Sequence, residues 1–374
     1  MISKTILEKS SKDFDVIRKL WRFAMTNTKL WFGFGVAIMC LALSVNTAAS
    51  QTLEWSPSQN YDDGGQTSVA VHPSGLVLEA HQTHLGDAMW YRLGTLNGAS
   101  VTWGGSQRLP GVAAQNWPNV AITKEGYVIY VHSTNDFKRF GKLYYMVGKI
   151  DPNAGANQSI TWLTDTSSSG TFIDAGFHSS MAVNKRGEIV LAFESGSGGN
   201  GLYYRMGHLQ NPAGGNYSIT WDSGRYGKHY DEGLNPHIAL NNLDEVVEVH
   251  EVDGEPLLHC RRGIMLISGI RFGGSQRYDS NGSRPAVALL DSGLVVELHS
   301  SFRNDFTGVY ARTGTLSPSN PEEIKWSDSV RISPQDLDGF DSAVASNGSY
   351  AIGTWLIAEF TADRGLYYSV AAIP

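Results

Sequence analysis

The chain has 374 residues, with 29 Lys and Arg against 36 Asp and Glu, which gives a formal net charge of −7. Charged residues make up 17% and aromatic residues 11%, and this balance excludes a disordered chain, which needs high charge and few aromatics. The 41 glycines and the modest charge also argue against a coiled coil or helical bundle, and they favour short strands joined by tight turns.

A secretory signal is predicted near the N-terminus. The apolar run Leu30–Val45 follows Lys29, and small residues continue from it up to Ser50. A basic flank, a short apolar segment and a small-residue site are typical of a signal peptide, so we expect cleavage near Ser50. Residues 1–50 are therefore interpreted as an N-terminal extension plus signal peptide, and the protein as secreted or periplasmic. The alternatives are an uncleaved membrane anchor and a start at Met25.

The remaining domain, residues 51–374, is expected to be acidic. Without residues 1–50 it holds 22 basic and 33 acidic residues. Binding to phosphate groups depends on clustered Lys and Arg, so the composition argues against a nucleic acid or an anionic membrane as partner. Cys260 has no intrachain partner in this domain, so no disulfide is expected and the fold must depend on its own core.

A repeat of about fifty residues covers the whole domain. Five segments end in a strand-like tripeptide closed by Trp, and a sixth ends in Phe272; the tryptophans are Trp55, Trp103, Trp162, Trp221 and Trp326. Between these positions three further strand-like pieces recur, with the patterns SVAV, VVEVH and YYRxG. Four strands per repeat at this period predict an all-β fold, a six-bladed β-propeller with four antiparallel strands per blade.

The chain ends are expected to meet in the last blade. The domain opens with a fourth-strand pattern at Trp55 and closes with a third-strand pattern near Tyr368. If the N-terminal strand completes the last blade, the ring has no open edge. Two separate β-sandwiches and a seven-bladed ring are the alternatives.

Two polar patterns recur where the strand directions predict a common upper face. A Tyr-Asp pair lies before the first strand, and a Glu-x-His pair ends the second strand with both side chains on one face. An Arg follows on the third strand. Repeats 1, 4 and 5 keep the complete set, and we predict ligand binding by its members: Asp62, Glu79, His81, Arg92, Asp231, Glu248, His250, Arg261, Asp279, Glu297, His299 and Arg312.

The residue types in this set suit carbohydrate. Carboxylates, imidazoles and guanidinium groups can hydrogen-bond to sugar hydroxyls, and aromatic rings can stack on the apolar sugar face. Aromatic residues of the upper face that would do so are Trp90, Trp117, Tyr144, Tyr203 and Tyr310. Because the set occurs three times, several weak sites could add avidity. The structural alternative is a buried hydrogen-bond ladder that fixes strand register.

The repeat PxVAL…VVEVH…YYRxG…ITW resembles a repeat of secreted bacterial β-propeller proteins and is loosely similar to propeller lectins and sialidase-type propellers. The sialidase resemblance implies an Arg triad for a substrate carboxylate and a Tyr/Glu nucleophile pair. The sequence departs from that pattern, since it has neither an Arg-Ile-Pro start motif nor a clean Ser-x-Asp-x-Gly-x-Thr-Trp box.

We therefore expect a non-enzymatic, lectin-like monomer that binds glycans or glycoconjugates. No cofactor, no metal ion and no catalytic residues are expected, since converging metal ligands and a phosphate-loop motif are not evident. A sialidase-like glycoside hydrolase and a structural or protein-binding scaffold are the alternatives.

Overall fold

The computed structural model describes residues 52–374 apart from positions 85, 114, 135–140, 165–169, 197–198, 211–216, 223, 225–226, 304–305 and 358–363. The predicted signal segment at residues 1–50 lies outside the described residues. Throughout the described ranges the regular structure is β-strand, and no helix there is long and apolar enough to cross a bilayer.

Each repeat contributes a meander whose second strand is buried on both faces, as in Leu76–Gln82, Tyr127–Thr134, Glu188–Ser195, Glu245–Glu251 and Tyr350–Ile357. The strands up to the end of repeat 2 are β1 (Gln59–Asp62), β2 (Gly65–Val71), β3 (Leu76–Gln82), β4 (Ala88–Asn97), β5 (Ser100–Trp103), β6 (Gln107–Ala113), β7 (Gln115–Ile122), β8 (Tyr127–Thr134), β9 (Lys142–Lys149) and β10 (Thr161–Trp162). Repeats 3 and 4 contain β11 (Thr171–Val183), β12 (Glu188–Ser195), β13 (Gly201–Gln210), β14 (Ser218–Trp221), β15 (Lys228–Glu232), β16 (Leu234–Leu240), β17 (Glu245–Glu251), β18 (Leu258–Leu266) and β19 (Gly269–Phe272). The remaining strands are β20 (Gln276–Asp279), β21 (Ser283–Leu289), β22 (Leu294–Arg303), β23 (Phe306–Leu316), β24 (Ile324–Trp326), β25 (Val330–Arg331), β26 (Gly339–Ser346), β27 (Tyr350–Ile357) and β28 (Gly365–Ala372).

The strands form a propeller-like arrangement, but six separate blades are not observed. Four sheets of four or five strands are separate, and a further sheet has nine strands, from β7 to β15. Most linkers form a short extra strand that pairs with the third strand of the preceding repeat, as β6 does with β4 and β20 with β18. In β11 this linker continues directly into the next first strand, so β11 pairs with both β9 and β12. The strands of repeats 2 and 3 therefore share one sheet, which corrects the prediction of six separate four-stranded blades.

The first strands surround a common axis. Each first strand contacts the first strand of the next repeat in the order β2, β7, β11, β16, β21, β26, and β26 contacts β2. The chain ends meet as predicted: Trp55 forms a β-bridge with Ala371, and β1 pairs with β28 through Gln59 and Tyr368. The N-terminal strand therefore does close the last sheet.

Glycine in the third strand makes room for the fourth-strand aromatic ring. A Cβ on Gly94 would lie 2.8 Å from the ring of Trp103, and the same spacing is found at Gly207 beside Trp221 and at Gly314 beside Trp326. The Arg-x-Gly and ITW patterns are thus two halves of one packing contact. The Trp103 ring also packs against Tyr61 and Tyr368 of the last sheet, which confirms that this fourth-strand Trp belongs to the core between repeats.

Candidate functional site

The repeated polar residues lie inside the protein. Each Glu-x-His pair shares one strand face, and the carboxyl groups of Glu79, Glu248 and Glu297 have no exposed surface. The neighbouring imidazoles are at most 2% exposed, and each Nδ1 lies 2.9–3.0 Å from its carboxylate. The Tyr of the linker closes the group, since Tyr230 donates to Glu248 at 3.0 Å and Tyr278 donates to Glu297 at 2.9 Å.

The Asp and Arg of each set lie at the outer edge of the same cluster. Arg261 Nε donates to Asp231 at 2.6 Å, Arg312 bonds to Asp279, and Arg92 lies 3.4 Å from Asp62. Each Asp also lies 3.7–3.9 Å from the Nε2 atom of its histidine. Each imidazole therefore sits between two carboxylates, hydrogen-bonded to the Glu through Nδ1, while the Nε2 atoms of His250 and His299 have no hydrogen-bond partner among the described residues.

The neighbouring charges in each cluster shift the pKa values of its histidine and aspartate. Burial favours the neutral imidazole, but the carboxylates of Glu248 and Asp231 outweigh that effect and raise the pKa of His250. Burial alone would raise the pKa of Asp231, yet a backbone hydrogen bond, His250 and Arg261 together lower it. The cluster is thus a closed set of alternating charges. Ligand binding by these residues stays a prediction, because little of their surface is open to a ligand.

Repeat 2 shows the result of losing the partners. Tyr130 stands at the Glu position and Met146 at the Arg position, so His132 is buried without them. Neither ring nitrogen of His132 has a hydrogen-bond partner in the described part of the chain, and the Tyr130 hydroxyl is also unpartnered. Desolvation lowers the pKa of His132 to about 3. The neutral ring instead contacts Tyr144, with ring centroids 6.0 Å apart.

A second group of residues stands out by backbone conformation. One non-glycine residue with positive φ occurs at the same position of each first strand: Gln66 (49°), Trp117 (52°), His178 (40°), Asn235 (50°), Arg284 (49°) and Asp341 (50°). The position lies in a register shift with the second strand in every repeat. A left-handed residue with a side chain costs about 1–2 kcal/mol, and such strain clusters at functional sites.

These six residues surround a cavity of about 210 Å³, which we call the axial pocket. Its wall is completed by the one or two residues that follow each of them, among them Asn119, Ser179 and His237. Every repeat supplies a different side chain at the equivalent position. The pocket is therefore asymmetric within an otherwise repetitive ring, as a single specific site requires.

Hydrogen bonds between neighbouring repeats hold the pocket residues in place. Gln66 Oε1 accepts the Trp117 amide at 2.8 Å. Glu194 accepts both the Nδ1–H of His178 and the Asn235 amide, each at 2.6 Å. The backbone groups exposed by the register shift are thus satisfied by side chains, which fixes the strained conformation.

A second carboxylate, that of Glu251, also accepts hydrogen bonds from residues of the axial pocket. Glu251 accepts from Asn235 Nδ2 at 2.8 Å and from the Arg284 amide. The Arg284 guanidinium in turn forms an ion pair with Asp341. Burial raises the pKa of Glu251, and the nearby Glu194 charge adds to the shift.

Other polar groups of the pocket have no partner among the described residues. Asn119 and Ser179 are at most 8% exposed, and the Asn119 Oδ1 and Ser179 Oγ atoms form no hydrogen bond there. Buried polar atoms are normally satisfied, so these atoms indicate a place for water or ligand hydroxyls. Trp117 lies edge-on to His178, with ring centroids 4.0 Å apart, and gives the pocket an aromatic wall.

Sequence reasoning identified only one of the pocket residues, Trp117, and grouped it with four other aromatics. Of those, Tyr310 is buried against His299, Tyr144 packs on His132, and Tyr203 packs on Phe193. The available signal was variation within the repeat: the position immediately before the first-strand pattern changes type in every repeat, while the residue that follows it is always Pro, Ser or Thr.

No protein-family model and no curated protein sequence matches the chain. Solved structures do match it in fold. A protein of unknown function from Dyadobacter fermentans has a TM-score of 0.53 at 11% identity and covers 85% of this chain and 99% of its own. An α-L-arabinofuranosidase from Fusarium graminearum has a TM-score of 0.52 at 11% identity, over 87% of this chain and 98% of its own.

A sialidase from Trypanosoma rangeli gives a TM-score of 0.51 at 12% identity. The match covers 83% of this chain and only 55% of the sialidase, so this chain spans about half its length. At such identities the likeness shows a β-propeller fold and nothing finer. An Arg triad on the axis is not found in the described residues of the pocket wall, where Arg284 is the single arginine; Arg92, Arg261 and Arg312 are paired within their own repeats.

Proposed function

We propose that this protein is an exported carbohydrate-binding protein without hydrolase activity, and that it holds one terminal sugar ring in the axial pocket. Each of the six repeats would act as one blade of the ring, with residues 1–50 directing export to the periplasm or the medium. The observation that carries the proposal is the combination, in one small cavity, of an aromatic wall and unpartnered buried polar atoms.

The chemistry of the pocket suits a sugar better than a flat or wholly apolar ligand. Trp117 offers a ring against which an apolar sugar face can pack. Asn119 Oδ1 and Ser179 Oγ offer hydrogen-bonding atoms to sugar hydroxyls, and both are buried without a partner among the described residues. The cavity of about 210 Å³ is too small to enclose an oligosaccharide, so a terminal ring would enter while the rest of the glycan stays outside.

Two features speak against sialidase-type hydrolysis. That chemistry, as the resemblance implies it, requires several arginines for a substrate carboxylate, and Arg284 is already paired with Asp341. Burial raises the pKa of the hydroxyl groups of Tyr61, Tyr230 and Tyr278 in the repeated clusters and of Tyr130 in repeat 2, which makes each of them a poor nucleophile.

The proposal is tested by a glycan array with the purified exported protein, followed by titration of the glycans that bind. Replacing Trp117 by Ala should weaken binding by about 10–100-fold, as expected for an aromatic anchor. Phe172→Ala is the matched control, because Phe172 is an exposed aromatic residue outside the pocket wall. Binding to no glycan of the array would favour the structural or protein-binding scaffold. Release of free sugar from a glycan that binds would favour the glycoside hydrolase.

A further inference from the structure

We infer that the axial pocket selects a sugar ring without an acidic group, either a neutral sugar or an amino sugar, and rejects sialic and uronic acids. This inference rests on the proposed function and concerns the substrate class of the same site. It is carried by the carboxylates that surround the pocket and by the pairing of its one arginine.

Arg284 is the only side chain of the pocket wall, within the described residues, that always carries a positive charge. Its Nη1 atom donates to Asp341 Oδ1 in the same wall. A ligand carboxylate could bind Arg284 only by sharing it with Asp341. The guanidinium is therefore already neutralised by the protein.

Two further carboxylates lie immediately behind the wall. Glu194 contacts His178 and the Asn235 amide, and Glu251 contacts Asn235 and the Arg284 amide. The remaining imidazole, His237, is held neutral, since burial lowers its pKa to about 4. Its Nδ1 accepts the Val287 amide at 3.1 Å, which also requires an unprotonated nitrogen.

The charges of the pocket therefore do not favour an anion. Asp341, Glu194 and Glu251 face one guanidinium, and even a protonated His178 would only balance Glu194. Burial raises the pKa of Glu251, because a poorly solvated position disfavours the charged form of a carboxyl group. An acidic sugar would add one more charge of the same sign in a poorly solvated site.

The unpartnered atoms point to the same ligand class. In its neutral form His178 donates Nδ1–H to Glu194, so its Nε2 atom is an acceptor. Asn119 Oδ1 is also an acceptor, and it is buried without a partner in the described residues. Acceptors match the hydroxyl or ammonium hydrogens of a sugar, whereas a carboxylate would meet them with lone pairs.

The test uses matched methyl glycosides that differ only in charge: glucoside, glucosaminide and glucuronide, and the corresponding galactose series, together with a sialyl glycoside. Their affinities for the full protein are measured by calorimetric titration at pH 7. We expect the amino and neutral members of the bound series to bind at least about tenfold more tightly than the acidic member.

Asp341→Asn should reduce the ratio of the affinity for neutral or amino sugars to the affinity for the acidic sugar, because the substitution frees Arg284 and removes one negative charge. Asp328→Asn, an exposed residue outside the pocket wall, makes the same change in net charge and should leave the ratio unaltered. Tighter binding of an acidic sugar would overturn the inference while leaving the proposed function standing. Binding of no sugar in either series or on the array would instead remove the proposed function itself.

Discussion

The repeated clusters and the axial pocket use similar residue types in opposite ways. In repeats 1, 4 and 5 the same Tyr, Asp, Glu, His and Arg recur, buried and bonded to one another. In the pocket every repeat presents a different side chain on a strained backbone. Within the described residues, unpartnered buried atoms occur in both places, at Asn119 and Ser179 of the pocket and at the Nε2 atoms of His250 and His299 in the clusters. Repetition here accompanies structural roles, because every repeat has the same packing to maintain. Variation at an equivalent position marks the place where the repeats together form one asymmetric site.

The same contrast applies between repeats. Repeat 4 surrounds His250 with two carboxylates, which raise its pKa, whereas repeat 2 buries His132 with no ionic partner, which lowers its pKa to about 3. A repeat can thus lose the Glu and Arg partners of its histidine and still fold, provided that the histidine is neutral and packs against aromatic rings such as that of Tyr144. This indicates that the cluster contributes stability in its own repeat and is not required for the architecture.

The largest expected effect comes from removing one buried carboxylate. Glu248→Ala leaves the charged His250 and the Tyr230 hydroxyl without their acceptor, so the free energy of unfolding should fall by about 3–5 kcal/mol. Denaturant unfolding at pH 6 measures it, with the exposed Glu255→Ala as control. A decrease in the free energy of unfolding of less than about 1 kcal/mol would show that the cluster does not stabilise the fold. It would favour the prediction that these residues bind a ligand.

A smaller, pH-dependent effect is expected in repeat 2. The folded-state pKa of His132 is depressed to about 3, so its contribution to stability is complete above the unfolded pKa of about 6.5 and is lost as pH falls towards 3. His132→Phe, which copies Phe193 of repeat 3, removes that loss. At pH 4.5 the free energy of unfolding of the variant should exceed that of the natural protein by about 2–3 kcal/mol, since each pH unit below the unfolded pKa costs the natural protein about 1.4 kcal/mol. Near pH 8 the two free energies of unfolding should be equal. Equal stability at both pH values would mean that His132 is not buried neutral.

The smallest effect on stability is expected for Trp117→Gly, which should stabilise the fold while it abolishes glycan binding. Trp117→Gly relieves a left-handed residue and should raise the free energy of unfolding by about 1 kcal/mol, while glycan binding is lost with the ring. Val120→Gly, in a regular part of the same strand, is the control and should destabilise. A Trp117→Gly protein that is less stable than the natural one would argue that the strain is offset by packing and does not mark a functional position.

Much of the fold could be predicted from the sequence because its signals are local. Alternation of apolar residues gave the strands, and the Trp and Gly patterns gave the repeat and the closure between Trp55 and Ala371. The merging of repeats 2 and 3 into one sheet could not be predicted, because it depends on whether β11 continues without a break.

The candidate site was less accessible to sequence reasoning. The Glu and His of each pair do share a face, as alternation requires, but the pattern alone does not say whether that face is open. The positive φ values were hidden because Gln66, Trp117 and Arg284 are not residues that ordinarily adopt them. The axial pocket combines six segments far apart in the chain, so only the assembled ring shows that their side chains meet.

The location of a bound sugar tests the central claim most directly. A crystal structure of the protein with the glycan that binds best should show one terminal ring in the axial pocket, packed on Trp117 and hydrogen-bonded to Asn119 or His178. Sugar bound instead at the partly exposed edges of the repeated clusters, beside Asp62 or Asp231, with the pocket holding only water, would contradict the account.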